Sequence, residues 1–292
     1  MHDNRYRHPH PGRFGRLLNR LANSARLANL RQAVMSCLPF PTLASEVRDV
    51  IYVSWLVDAA AAQALLPPGT PLWQRNGRTP FTVLTYRHGH FGPALLGPLR
   101  RLLPSPLQSN WRLYLAHTPS GAPDVACVFF LKNVMDSLPH ALGTRLLSDL
   151  LPTHLAAGMA HEVTPNEVTP TQARCSIAAG SGSAPALEVE CHAGEPELDA
   201  DWQALFGNWR EAVAFLACQD AAVAHVPRND RLAFGEISLP VDLTQVRALS
   251  PRLADYGLDD VLPPVSAPFA FLVPAVPFRS LSERLLPRAA PA

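Results

Sequence analysis

The chain contains a single lysine, Lys132, in the run CVFFLKNVMDS at 127–137; the other 24 of its 25 basic residues are arginines. An apolar, strand-like stretch leads directly into this one ammonium. A lysine desolvated in an apolar cavity loses part of its preference for the charged form, and a neutral amine can attack a carbonyl to form a Schiff base. The alternative is a lysine at a strand end that reaches water and pairs with Asp136. Arg112, in SNWRLYLAH, is the second candidate. It alternates with Asn110 and Tyr114 in a polar stripe through an otherwise apolar strand. Such a stripe needs partners when buried, either a ligand carboxylate held in bidentate fashion or an internal acid such as Glu188, Glu190 or Glu236. The run RHGH puts His88 and His90 two apart, on one side of a strand, but no third metal ligand follows by spacing.

Several chemistries lack their motifs. The chain has no nucleophile elbow, since GSGS at 180–183 sits in a loop without the flanking pattern. It also has no dinucleotide or phosphate-loop glycine fingerprint and no HExxH helix. No metal and no cofactor is expected from these patterns.

The elements that must position these residues are mostly strands. Residues 45–58, SEVRDVIYVSWLVD, are apolar at both alternating sets and read as a strand covered on both faces. A short helix, AAAAQALL, is stopped by Pro67, Pro68 and Gly69. Two hairpins follow, one turning at Asn76-Gly77 and one around PSGAPD. A helix is expected across LPHALGTRLLSDLLPTHLAAGMAHE, kinked or broken at Pro152. A second spans DADWQALFGNWREAVAFLAC, with Trp202, Leu205, Phe206, Trp209, Val213 and Leu216 on one face. Between them, TPTQARCSIAAGSGSAPALEVECHAGE reads as a hairpin that folds about residue 183 and sets Cys175 opposite Cys191. The near-repeat EVTPNEVTP reads as loop. Two more strands lie in RLAFGEISLPVDL and APFAFLVPAVPF. Antiparallel strands with helices packed outside define an α+β, barrel-like domain.

Composition bounds the function. A chain of 292 residues can bury a large core without disulfides or metals. A net charge of +1 argues against a nucleic-acid partner. Thirty prolines favour short strands and turns over long helices. Five scattered cysteines without a CxxC pair read as reduced thiols, and the start of the chain has no apolar leader, so a cytoplasmic protein is expected. Residues 1–45 differ from the rest, with seven arginines against one acid. Their first dozen read as disordered, and 13–36 as one basic amphipathic helix that could touch a membrane surface or a partner. The domain proper spans 46–280, and 281–292 reads as a disordered tail.

The order VSWLVDAAAAQALLPPGTPL, NGRTPFTVLTYR, SNWRLYLA, DVACVFFLKN resembles the YqjF-like family of unknown function, in the acetoacetate decarboxylase-like superfamily. The resemblance covers residues 46–160 best. It implies a cone-shaped antiparallel barrel with outer helices and an internal cavity. The superfamily's decarboxylases use a lysine Schiff base beside a second lysine. At the comparable place, DLLPTHL, this chain carries Thr153 and His154, and Lys132 lies on the preceding strand. Where the family tends to have a glutamate before its Asn-x-Arg-x-Tyr strand, this chain has Gln108. The resemblance therefore implies a cavity that binds a small apolar or carboxylate-bearing molecule without Schiff-base decarboxylation. Gln108, Asn110, Arg112 and Tyr114 would be its ligand-binding residues. His154 and Lys132 are the catalytic candidates should the chain be an enzyme for a carbonyl or acid substrate, with His154 as base or acid and Arg112 holding the carboxylate.

Overall fold

The computed structural model describes residues 4–35, 37–164 and 171–288. It contains helices α1 (Arg13–Ala22), α2 (Ala25–Met35), α3 (Ala59–Gln63), α4 (Leu138–Leu147), α5 (Ala200–Phe206) and α6 (Trp209–Ala217), and a 3-10 segment at Ala94–Leu102. The strands are β1 (Leu43–Asp58), β2 (Arg78–Arg87), β3 (Gly92–Pro93), β4 (Leu107–Tyr114), β5 (Cys127–Met135), β6 (His154–Leu155) and β7 (Gly158–Thr164). They continue with β8 (Gln172–Ala178), β9 (Leu187–Ala193), β10 (Ala221–Val226), β11 (Arg231–Ser238), β12 (Arg247–Tyr256), β13 (Phe269–Ser280) and β14 (Arg284–Leu285).

The molecule is α+β, built on one large and mostly antiparallel sheet. Its order is β14-β11-β10-β5-β4-β2-β1-β13-β12-β9-β8-β7. Only β10 on β5 and β6 on β5 run parallel. β11 also pairs with β13, at Ile237 and Ser238. The central strands β1, β2, β4 and β5 are apolar on both faces because each face is covered. One face carries Ile51, Val53, Trp55, Phe81, Val83, Trp111 and Leu113, in a cluster with Cys175, Ile177, Val189 and Cys191 of β8 and β9. The other carries Tyr52, Leu84, Tyr86, Tyr114 and Phe130, packed against Trp202, Phe206, Val213 and Leu216 of α5 and α6. No helix of the described residues is long and apolar enough to cross a membrane.

Several elements differ from the expectations. The first hairpin has only one full arm. Asn76 and Gly77 do form a left-handed turn, at φ 55° and 71°, but before it only single bridges form, at Leu72 and Arg75. The long helix through Pro152 ends at Leu147, and residues 154–164 are strands β6 and β7. Pro152 supplies no N–H for a helix to continue, and the following segment finds its partners along β8 instead. The helix through Trp202 and Leu216 is two helices. Gly207 adopts φ 76°, and the Asn208 side chain caps α6 by accepting from Glu211 N. Cys175 faces Val189 and Cys191 faces Ala173, a register two residues away from a direct pair. All five cysteines are free thiols.

The N-terminal stretch makes specific contacts. Tyr6 is fully buried, and Asn23 fastens it, accepting from Tyr6 N at 2.9 Å and donating to Tyr6 O at 2.8 Å. That same Asn23 sits at the break that turns 13–36 into two helices. Leu18 joins Met135, Ala141 and Leu155 in a small core under α4. Phe14, Leu17, Leu21, Leu30 and Val34, on the apolar side of these helices, stand exposed. At the other end, Leu286 is buried and β14 pairs with β11, within the stretch read as a tail. Of EVTPNEVTP, read as loop, 162–164 close strand β7, and 165–170 lie outside the described residues, as do 1–3, 36 and 289–292.

Candidate functional site

Alternation within the strands places the polar stripe. On β4, Gln108, Asn110, Arg112 and Tyr114 share one face, because side chains two apart project the same way. On β2, Tyr86 stands opposite Gln108, Leu84 opposite Asn110 and Thr82 opposite Arg112. Asn133 of β5 stands opposite Asn110, and Ser54 of β1 opposite Thr82. The stripe is therefore a patch two to four strands wide, buried on the side of α5 and α6.

The patch has two hydrogen-bonded halves. In the first, His88 Nε2 donates to Gln108 Oε1 at 2.7 Å. The Gln108 amide then donates to Asn110 Oδ1 at 2.8 Å and to Asn133 Oδ1 at 3.0 Å. Those two donations fix Gln108 Oε1 as an acceptor, which places the imidazole proton on Nε2 and leaves Nδ1 to accept from the Ser45 hydroxyl at 2.8 Å. Asn110 donates to the Tyr86 hydroxyl at 3.1 Å, and Asn133 to Thr153 Oγ1 at 2.7 Å. Thr144 of α4 donates to the same Thr153 hydroxyl, so α4 closes this end of the network.

In the second half, Arg112 Nη2 donates to the carbonyl of Leu216 and Nε donates to the Tyr114 hydroxyl at 3.3 Å. Tyr114 donates to Leu216 O at 3.1 Å, its oxygen lies 3.0 Å from Thr82 Oγ1, and Thr82 meets Ser54 at 2.8 Å. The guanidinium also lies 5.5 Å from the centre of the Tyr52 ring and 5.4 Å from that of Tyr114. Arg112 is 3% exposed, and among the described residues it forms no ion pair. Its electrostatic partner is the last turn of α6, whose carbonyls carry the negative end of the helix dipole.

Burial sets the protonation states. It pushes the His88 imidazole down to about 4, against the opposing pull of the Gln108 hydrogen bond, so the ring is neutral at pH 7. Burial likewise pushes the Tyr52 and Tyr86 phenols up, and both stay protonated. The patch is thus one fixed cation among neutral donors and acceptors. It can hold an anion or orient a carbonyl, and it contains no side chain poised to exchange a proton near neutrality.

The catalytic candidates lie elsewhere. Lys132 is 4% exposed and stands opposite Trp111, on the face that packs towards β8 and β9. A bulge between Trp111 and Arg112 sets it there, out of phase with Phe130, which stands opposite Arg112. Asp136, the partner expected at the strand end, accepts from Leu107 N through its Oδ1 at 3.0 Å. His154 is fully buried and bonds Ser183 Oγ and Asn4 Oδ1, each at 2.7 Å. It faces the N-terminal stretch, whereas its neighbour Thr153 faces the network. His88 and His90 do not share a strand face, because β2 ends at Arg87 and His90 adopts φ 53°. No group of three His, Cys, Asp or Glu converges among the described residues.

Sequence reasoning missed Tyr52, Tyr86 and Asn133, and weighed His88 only with His90 as a metal pair. A signal was present: Tyr52 and Ser54, and Thr82, Tyr86 and His88, fall at even spacings like those that marked Asn110, Arg112 and Tyr114.

Comparison with known proteins agrees with this architecture. The model of the DUF2071 family, described as an uncharacterized conserved protein, matches residues 44–224. The chain belongs to that family. No curated protein sequence matches it. Among solved structures it is similar to the enduracididine biosynthesis enzyme MppR complexed with pyruvate, at 16% identity and a TM-score of 0.52, covering 86% of this chain and 91% of that one. MppR with HEPES buffer bound gives a TM-score of 0.54 at 16% identity, with 85% and 88% covered. Acetoacetate decarboxylase from Legionella pneumophila gives 0.52 at 12% identity, with 85% and 88% covered. At these identities the likeness is one of fold, that of the acetoacetate decarboxylase-like proteins.

Proposed function

We propose that this DUF2071 protein binds a small carboxylate-bearing molecule within a cone-like barrel, without forming a lysine imine. The strand path β11-β10-β5-β4-β2-β1-β13 returns to β11 through the second pairing of β11, which supports the barrel reading. Tyr52, Thr82, Gln108, Asn110, Arg112 and Tyr114 would then face its interior, with α6 at one end and α4 at the other. Pockets in barrel mouths, apolar with a few placed polar groups, are where such folds take ligands.

The observation that carries the proposal is the buried guanidinium of Arg112 without a carboxylate among the described residues. A buried charge is retained at a large desolvation penalty, and a helix terminus offsets only part of it. A ligand carboxylate taking the place of the Leu216 carbonyl would supply a full counter-charge in a geometry the planar fork suits. The position of Lys132 on the other face of the sheet supports the absence of imine chemistry. The enclosed, fully bonded ring of His154 gives no support to an acid–base role. Five free thiols support a cytoplasmic setting.

The test is calorimetric titration of the protein with pyruvate, the 2-oxo acid present in the MppR complex, and with the uncharged pyruvamide. Saturable heat with pyruvate, absent with the amide and absent in Arg112→Gln, is expected. Equal affinity for acid and amide would remove Arg112 from ligand recognition. A pyruvate adduct on Lys132 after borohydride reduction would replace the binding reading with imine chemistry.

A further inference from the structure

A second feature lies outside the proposed barrel interior. A cleft of about 540 Å³ is bordered by Arg48 and Arg87 on one wall and by Arg100, Arg101 and His90 on the other. Arg48 and Arg87 stand directly opposite each other on β1 and β2. Like charges in that position repel and destabilise the pair unless an anion lies between them. The neighbourhood holds three acids. Glu46 is engaged by Arg100 at 2.6 Å, Asp49 lies near Arg48, Arg87 and Arg247, and Asp136 lies near Arg87. Five arginines thus face three carboxylates. Arg48, Arg87 and Arg101 form no ion pair among the described residues. His90 Nδ1 is buried with no hydrogen-bond partner.

The segment that brings Arg100 and Arg101 to the cleft also carries the two most exposed large apolar side chains among the described residues, Leu102 and Leu95. Leu95, Leu99 and Leu102 are 81%, 62% and 82% exposed. Gly97, at φ 50°, divides the 3-10 segment into two turns. In the second turn Leu99 and Leu102 are three apart, a spacing that stacks side chains along one edge of a 3-10 helix. Arg100 lies on another edge, reaching back to donate to His90 O at 3.1 Å and to Glu46. Water-facing leucines beside a cluster of unpaired arginines match the two components of an anionic lipid surface, acyl chain and phosphate.

We propose that the segment 94–102 is a membrane-contact loop: its leucines enter the outer acyl region while the arginine cleft receives the phosphate of an anionic headgroup. A guanidinium fork binds phosphate oxygens in pairs, and a cleft of this volume admits a headgroup larger than bare phosphate. The contact is distinct from the N-terminal helices, whose exposed Phe14 and Leu17 are the other candidate for a membrane surface. It does not depend on the ligand proposed for the barrel interior.

The experiment is co-sedimentation of the full chain with phosphatidylcholine vesicles, with and without phosphatidylglycerol. Binding is expected only to the anionic vesicles and should weaken as salt rises. Arg48→Gln/Arg87→Gln should lower affinity about thirtyfold, since each arginine near the surface contributes roughly 1 kcal/mol. Leu95→Ser/Leu99→Ser/Leu102→Ser should abolish it, while Phe14→Ser/Leu17→Ser should leave it intact. These residues are exposed at their leucine and phenylalanine tips, and a circular dichroism melt confirms that each variant folds. The proposal is overturned by binding that ignores phosphatidylglycerol, or by loss of binding in the α1 variant and not in the leucine variant. It is equally overturned if glycerol phosphate in solution fills the cleft while vesicles stay unbound, which would make the cleft a site for soluble phosphates. Light scattering that shows a dimer dissolved by the leucine substitutions, with no vesicle binding, would assign the loop to a second copy of the chain.

Discussion

The guanidinium of Arg112 on β4 donates a hydrogen bond to the main-chain carbonyl of Leu216 in the last turn of α6, across 104 residues of sequence. This contact ties the centre of the sheet to the helix that covers it. Arg112→Leu removes the donor and leaves the carbonyl with only the Tyr114 hydroxyl, at 3.1 Å. The expected loss is roughly 2–4 kcal/mol of unfolding free energy, the range for breaking a buried charged hydrogen bond. Arg112→Lys should recover little of it, because an ammonium cannot meet Leu216, Tyr114 and two aromatic faces together. Urea unfolding followed by tryptophan fluorescence measures both. A leucine variant as stable as the parent would show that the contact is incidental.

Acid should weaken the fold in a defined window. His88 and His161 are each held at about 4 by burial, below the value of about 6.5 expected when unfolded. Between those values the unfolded chain binds more protons than the native one, so stability falls as pH drops from about 6.5 towards 4. The full contribution is present above pH 6.5. A shift of this size corresponds to about 3 kcal/mol for each ring. Asp149 acts lower on the scale. Two arginines, Arg228 and Arg31, hold its carboxyl below the ordinary carboxylate value against the opposing effect of burial, so its contribution is lost only as pH falls through that depressed value. Chemical denaturation at a series of pH values should show the first loss, and His88→Gln should flatten it by about half. An unchanged slope in that variant would mean that His88 is not buried as a neutral ring.

How much of this was legible in the sequence depends on the range of the interaction that decides it. The stripe Asn110, Arg112, Tyr114 was readable because strand alternation is a local rule, and the buried face of Trp202, Leu205, Phe206, Val213 and Leu216 followed from helical spacing. The break at Gly207–Asn208 was also locally encoded, by a left-handed glycine and a capping asparagine, but was overridden in the reading by the continuous apolar face. Residues 154–164 were mistaken for helix because their alanines and leucine suit either state. Pairing with β8, a non-local contact, decides for strand. The placement of Lys132 on the far face of the sheet turns on a one-residue bulge against β4, which no periodicity reveals. The isolation of Arg112 from Glu188, Glu190 and Glu236 depends on the order of strands in the sheet, and residue types alone do not report that order.

The thiols should separate into two classes. Burial pushes Cys127, Cys175 and Cys191 up to about 12, and a protonated, enclosed thiol is a poor nucleophile. Cys37 and Cys218 are exposed. Titration of the native protein with Ellman's reagent at pH 8 should therefore release two equivalents rapidly, and five after denaturation. Cys218 should be the slower of the two, since partial burial also raises its value. A third rapid equivalent would mean that the sheet opens in solution at β5 or at the β8–β9 hairpin.

The lone lysine offers a direct reading of the sheet around it. Lys132 is buried, faces the side of Trp111, and sits on a strand paired along one edge with β4 and along the other with β10 and β6. A reagent can reach its amine only when that part of the sheet opens, so acylation should be limited by opening and not by the intrinsic chemistry of an amine. Acetic anhydride labelling read by mass spectrometry should modify Lys132 at a rate many-fold below that in urea, with the α-amino group as the internal reference. Because Lys132 stands opposite Trp111, on the sheet face away from Arg112, pyruvate should not protect it. Arg112→Gln should leave its rate unchanged apart from any loss of stability. Rapid native labelling, or protection by pyruvate, would place the amine on the ligand side of the sheet and revive the imine mechanism for this chain.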